Sequence, residues 1–108
     1  TLLDTAPITI GENSMLGPDV KIYTALHPLE GGERFSQQPD GTAAVKTYAL
    51  PVKIGRFTWI GGGSIILSGI TIGDNVVIGA GSVVTESIPD NAIACGNPCR
   101  VKKYNPPI

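Results

Sequence analysis

Ile54-Gly55-Arg56-Phe57-Thr58-Trp59 is followed without a break by Ile60-Gly61-Gly62-Gly63-Ser64-Ile65 and Ile66-Leu67-Ser68-Gly69-Ile70-Thr71. Then come Ile72-Gly73-Asp74-Asn75-Val76-Val77, Ile78-Gly79-Ala80-Gly81-Ser82-Val83 and Val84-Thr85-Glu86-Ser87-Ile88-Pro89. Each group of six opens on an aliphatic residue, usually followed by Gly. The fifth position is small or β-branched: Thr58, Ser64, Ile70, Val76, Ser82. The beat also runs upstream, from Ile10, Leu16 and Ile22, with Ser14 and Val20 in the fifth place. A helix needs apolar residues three and four apart, which these groups do not supply. Gly in every second place would cost a helix up to about 1 kcal/mol each.

A fixed short period means a solenoid. Three groups of six make one triangular coil, with a short flat strand on each side. The leading aliphatic residue points inward and stacks on its equivalent in the next coil, roughly 4.8 Å away. The small fifth residue fills the remaining interior. Gly73-Asp74-Asn75 and its equivalents form corners, where Gly and Asn permit left-handed backbone angles. The fold class expected is therefore all-β. So few coils make a thin core, and flat faces invite self-association.

The bulk properties set limits. The chain has 108 residues, which suits one domain. A formal net charge of -1 provides no global field for nucleic acid or an anionic membrane. No apolar run approaches the roughly 18 residues of a membrane span. No signal-peptide pattern is visible, and a cytoplasmic location is expected. The chain opens on Thr1 and the strand-like Leu2-Leu3-Asp4, which reads as a truncated product with an upstream part missing. Cys95 and Cys99 flank a short Gly/Pro-containing segment. A disulfide there would be a poor staple, and two free thiols are the preferred reading.

The beat is interrupted between Ile22 and Ile54, an interval that is not a multiple of six. The interruption therefore inserts or omits residues, as a looped-out excursion would. The loop is expected at about 28–51, with a non-repetitive tail at about 90–108. Gly31-Gly32 and Pro39-Asp40-Gly41 have loop composition, and Pro51-Val52-Lys53-Ile54 returns to the coil. A long loop in a compact repeat protein is more often functional than ornamental. His27, the single histidine, stands where it begins. Pro28 holds His27 in extended geometry. A histidine can take a proton from a weakly acidic hydroxyl near neutral pH. A lone histidine is also a common structural or surface residue. One histidine and no carboxylate cluster exclude a zinc site built on several histidines.

The hexamers resemble those of the hexapeptide-repeat acyltransferases, whose aliphatic-Gly-x-x-small-x pattern builds a single-stranded left-handed parallel β-helix. The left hand departs from the right-handed crossover rule and comes from the resemblance alone. Leu3-Asp4, Pro7-Ile8-Thr9-Ile10-Gly11 and Tyr23-Thr24-Ala25-Leu26-His27-Pro28-Leu29 are similar to the maltose/galactoside O-acetyltransferase and nodulation protein branch. The resemblance implies a left-handed β-helix over 1–108 that acts as a homotrimer. It implies an acetyl-CoA-dependent enzyme that moves an acetyl group to a sugar hydroxyl, without metal. His27 would be the general base and a backbone amide at Gly62 the oxyanion donor. Gly62, Ala80, Thr85, Arg100 and Lys103 occupy places that contact acetyl-CoA in relatives. Trp59 would wall the acetyl pocket or simply pack, and Asp4 is an acceptor contact. Arg100, Lys102 and Lys103 form a basic end suited to the phosphates of CoA, or a merely solvated one. Two departures stand out: Glu86 where relatives often carry Lys, and Lys103 where they often carry Arg. The competing expectations are another acceptor, such as an antibiotic or a nucleotide sugar, and a non-catalytic scaffold.

Overall fold

The computed structural model of the chain describes residues 6–26, 31, 35–37, 43–45 and 48–108, and of 35–37 and 43–45 the backbone alone. These residues are all-β, with no α-helix among them. The strands of the repeat are β1 (Ile8–Ile10), β2 (Met15–Leu16) and β3 (Lys21–Ile22), then β8 (Val52–Ile54) to β13. Between them lie β4 (Ala25–Leu26), β5 (Phe35–Gln37), β6 (Ala43–Val45) and β7 (Tyr48–Ala49). The later members are β9 (Trp59–Ile60), β10 (Ile65–Ile66), β11 (Thr71–Ile72), β12 (Val77–Ile78) and β13 (Val83–Val84). The tail adds β14 (Ala92–Cys95) and β15 (Arg100–Tyr104).

The repeat strands fall into three sheets that the chain visits in rotation. The first sheet is ordered β1-β8-β11, the second β15-β14-β12-β9-β2 and the third β13-β10-β3. Within the repeat every pairing is parallel: Thr71 lies beside Lys53, Val77 beside Trp59, Ile65 beside Val83. One round takes 18 residues, the separation at which the Val76 amide meets the Thr58 hydroxyl. Three strands of two residues each cannot hold together alone. They hold because each edge pairs with the coil above and below, and because the leading aliphatics stack. Ile54, Ile60, Ile66, Ile72, Ile78 and Val84 are all within 1% of complete burial. Each contributes about 1.5–3 kcal/mol of apolar transfer.

The fifth-position residues do more than fill space. Ser14 Oγ donates to Gly55 O at 2.6 Å and accepts from Thr58 N at 3.0 Å. Thr58 Oγ1 donates to Gly73 O at 2.8 Å and accepts from Val76 N at 3.1 Å. Ser64 Oγ donates to Gly79 O at 3.2 Å and accepts from Ser82 N at 3.3 Å. Each hydroxyl clasps one coil to the next while it satisfies itself, which lets a polar atom sit in the core.

Three columns of corners join the sheets. Residues 11–14, 55–58, 73–76 and 89–91 turn the chain from the first sheet to the second. Residues 17–20, 61–64 and 79–82 turn it from the second to the third. Residues 67–70 and 85–87 return it to the first. Left-handed residues stand in the first column at Asn13, Phe57, Asn75 and Asn91, with φ of 58°, 54°, 55° and 65°. Asp19, Gly63 and Gly81 do so in the second.

Antiparallel pairs interrupt this pattern in two places. At the tail, β14 pairs with β15, Ile93 opposite Lys103 and Cys95 opposite Arg100. In the excursion, β4 pairs with β7 and β5 with β6. Its neck is closed by Leu50 N donating to Thr24 O at 2.9 Å. Below the excursion the coil-to-coil separation is 44 residues rather than 18, so the excursion inserts 44 minus 18, or 26. Residues 25–50 account for that length. The first coil is less well covered than the sequence pattern predicts: Ile10 is 43% exposed and Leu16 38%. The reason is position: β1, β2 and β3 are the end strands of their sheets.

Candidate functional site

The second corner column is built almost wholly of small residues: Gly61-Gly62-Gly63 in one coil and Gly79-Ala80-Gly81 in the next. The packing demands them. A Cβ on Gly61 would lie 2.5 Å from Ala80 N, and one on Gly17 2.5 Å from Gly62 N. Because the corner carries no protruding side chains, its backbone is reachable along a shallow edge.

The hydrogen-bond ledger of this edge is incomplete in one regular place. Gly61 N donates to Ile78 O at 2.8 Å, and Gly63 N to Pro18 O at 2.9 Å. Gly79 N donates to Ala94 O and Gly81 N to Gly62 O, both at 2.9 Å. Gly62 N and Ala80 N, which lie between these donors, have no acceptor among the described residues. The first corner spends the equivalent amides on side chains. Arg56 N donates to Asp74 Oδ1 at 2.9 Å, and Asp74 N to Asp90 Oδ1 at 2.8 Å. Gly and Ala offer no such acceptor to the coil below. The second corner therefore presents two unspent amides, one coil apart, available to an external acceptor.

The other candidates distribute around this edge. Trp59 points outward on the second sheet, 52% exposed, beside Met15 and Val77. Lys103, opposite Ile93, tops the same face, and Arg100 lies opposite Cys95 at the top of the second corner. Arg100 and Lys103 are exposed, and Arg100 Nη1 donates to Cys99 O at 3.1 Å. Thr85 is exposed at the end of β13, on the far side of the third sheet from Gly62 and Ala80. Gly62, Ala80 and Arg100 thus share one edge, Trp59 and Lys103 the adjoining face, and Thr85 the next corner. His27 and Asp4 lie outside the described residues.

Features that sequence reading missed also gather here. Cys95 stacks over the second corner: a Cβ on Gly79 would lie 2.8 Å from Cys95 Cβ. Both cysteines are free thiols. Burial pushes the Cys99 thiol above its ordinary value, against a hydrogen bond with Ser82 that lowers it. The Ala80 amide could have been anticipated, since it follows from an Ala where other corners carry Asp. The larger concavities of the chain lie elsewhere. One of about 390 Å³, bounded by Leu50, Pro51, Lys53, Gly69 and Thr71, opens on the first sheet. The small-residue edge is not itself a pocket. Among the described residues no group of three or more His, Cys, Asp or Glu could hold a metal ion. No helix among them is long and apolar enough to cross a membrane.

Residues 51–86 match the family model described as bacterial transferase hexapeptide, six repeats. Nodulation protein L of Rhizobium meliloti (strain 1021) is 48% identical over 101 residues, 94% of this chain and 51% of that protein. A crystal structure of a maltose O-acetyltransferase from Clostridium difficile 630 aligns with a TM-score of 0.76 and 59% identity. That alignment covers 90% of this chain and 48% of the other. A galactoside acetyltransferase in complex with coenzyme A aligns with a TM-score of 0.76 and 41% identity, over 90% of this chain and 44% of the other. The chain spans about half the length of the curated relatives it matches. By sequence and by fold it belongs to the hexapeptide-repeat acyltransferase family, in the branch of the maltose and galactoside O-acetyltransferases and nodulation protein L.

Proposed function

We propose that this chain is the left-handed β-helical acetyltransferase domain, residues 1–108, of an enzyme that moves the acetyl group of acetyl-CoA to a sugar hydroxyl. The observation that carries the reading is the pair of unspent amides at Gly62 and Ala80, on an edge that ends in Arg100. An extended pantetheine arm, with amides and a thioester carbonyl, asks for donors spaced along a groove free of side chains. Its phosphates ask for cations at one end, which Arg100 and Lys103 supply, with Thr85 as a further contact. The relative solved with coenzyme A supports the choice of donor.

In this reading His27 takes the proton of the acceptor hydroxyl as the oxygen attacks the thioester carbonyl. Gly62 N–H receives the oxyanion, and its orientation is fixed beforehand by the Gly61 and Gly63 hydrogen bonds on either side. As the carbonyl reforms, the carbon–sulfur bond breaks and His27 returns its proton to the sulfur. Trp59 walls the acetyl end, and Asp4 touches the acceptor. No covalent acyl-enzyme and no metal take part.

The working unit is a homotrimer in the cytoplasm. Met15, Trp59, Val77 and Ile93 stand in register across the second sheet, Met15 63% exposed. Three copies that turn this row toward a common axis would bury it. The second corner of each would then abut the first corner of the next, which turns the shallow edge into a groove.

Thiol release from acetyl-CoA in the presence of a galactoside or maltose tests the activity. His27→Ala is expected to lower turnover by about 10²–10⁴-fold. Wild-type turnover in that variant would exclude His27 as the base. The competing scaffold reading expects no heat of binding with millimolar CoA in a calorimeter, whereas the enzyme binds it.

A further inference from the structure

The first corner repeats an acid followed by Asn: Glu12-Asn13, Asp74-Asn75 and Asp90-Asn91. In one coil alone it reads Arg56-Phe57. The backbone does not change with the residue. Phe57 holds φ of 54°, like its Asn neighbours in the column. Asn tolerates that left-handed region, whereas a bulky aromatic there is a genuine outlier. The exchange also breaks a side-chain ladder. Asn75 Nδ2 donates to Asn91 Oδ1 at 3.0 Å, and Phe57 cannot extend that ladder downward toward Asn13.

Nothing is gained within the chain in return. Phe57 is 41% exposed, and its ring carries the Arg56 guanidinium, with Cζ 5.7 Å from the centroid. Strain that a fold retains without local benefit points to a role outside the chain. An exposed aromatic with an arginine stacked on it is the composition of an interface anchor.

The charges indicate where this corner docks. It carries Asp74 and Asp90 in its upper coils, and the second corner ends in Arg100. The two corners are complementary, as neighbours around a three-fold axis must be. Phe57 and Gly62 belong to the same coil, on either side of β9. A rotation that keeps the level therefore sets Phe57 of one copy against Gly62 of the next. We propose that Phe57, held by Arg56, reaches from one copy into the groove of its neighbour and forms the wall of the acceptor pocket opposite Gly62. This rests on the acetyltransferase reading and names the surface that receives the acceptor. The ring offers an apolar face to the C–H side of a pyranose, and Arg56 fixes its tilt.

Two arms test this on the whole protein. Phe57→Asn restores the residue of the other corners, so it is expected to fold and to melt a few degrees higher. Its acceptor KM should rise about tenfold, with acetyl-CoA KM nearly unchanged and Phe57→Tyr close to wild type. An unchanged acceptor KM would overturn the assignment. The second arm needs no activity. In a Cys95→Ala background, Phe57→Cys with Pro18→Cys should give covalent dimers and trimers with a short bismaleimide. Phe57→Cys with Ser68→Cys, on the third corner, should not. Absent or equal cross-linking in the two pairs sinks the placement. A wild type inert toward sugars but cross-linked as expected would instead remove the acetyltransferase reading and leave the docking.

Discussion

Gly61 has no room for a side chain, since its Cβ would meet the Ala80 backbone, which cannot swing aside as a flexible side chain could. Gly61→Ala is expected to cost about 1–3 kcal/mol, read from the midpoint of a urea titration. The thiols make a second prediction at this scale. Cys99 is buried and its pKa raised, while Cys95 is half-buried, so an alkylating reagent should label Cys95 first. Peptide mass mapping of a time course checks it. The same shift has a pH consequence. Its contribution to stability is fully present below the ordinary thiol pKa. It is lost as pH rises through the raised value, because the unfolded thiol ionises first. Cys99→Ala should flatten that alkaline decline in urea midpoints. None of this was legible from Cys95 and Cys99 alone, because burial depends on the turn of chain that links β14 to β15.

Among the elements, the inward isoleucines were legible, because a period of six lets one residue per group reach the core whatever its neighbours are. How much each matters was not. Ile66 and Ile22 are register partners, yet Ile66 is fully buried and Ile22 half-buried. Ile66→Ala should cost about 2–5 kcal/mol and Ile22→Ala clearly less, by comparison of denaturation midpoints. The excursion was visible as a break in the beat, but its antiparallel neck was not, since β4 and β7 carry no repeat. The structure makes its length testable. Deleting residues 25–50 removes 26 residues, 44 minus 18, and should leave the 18-residue step intact with turnover lost. Deleting one residue more or fewer would put the wrong side chains inward, and circular dichroism melting should then lose its cooperative transition. The unspent amides of Gly62 and Ala80 were only half legible. Glycine at a corner says that the chain turns there, but whether its N–H is used depends on the next coil.

The whole molecule is long for its mass. Its radius of gyration is 16.2 Å, where a compact chain of this length has about 13 Å. Its extents are 57 × 25 × 22 Å. A narrow prism buries little of itself and leaves a large flank. The row from Met15 to Ile93 makes that flank adhesive. The melting temperature should therefore rise with protein concentration, since assembly stabilises the folded chain by mass action. Calorimetry over a hundredfold dilution, beside sedimentation of the same samples, would show it. A concentration-independent melt of a monomeric species would contradict the trimer.

The unequal spacing between coils also sets an order of assembly in time. Residues from Val52 to Cys95 close each round over 18 positions, while the first round must wait for a closure over 44. The longer closure costs about 0.8 kcal/mol more in chain entropy. Its reward is smaller too, since Ile10 and Leu16 stay part-exposed. The upper rounds should therefore form the nucleus, and the first should zip on afterwards. Truncations at Ile72 or Ile78 would then slow folding, while those at Ile10 or Leu16 would mainly quicken unfolding. The polarity of the prism, closed at one end and open at the other, becomes a direction of growth.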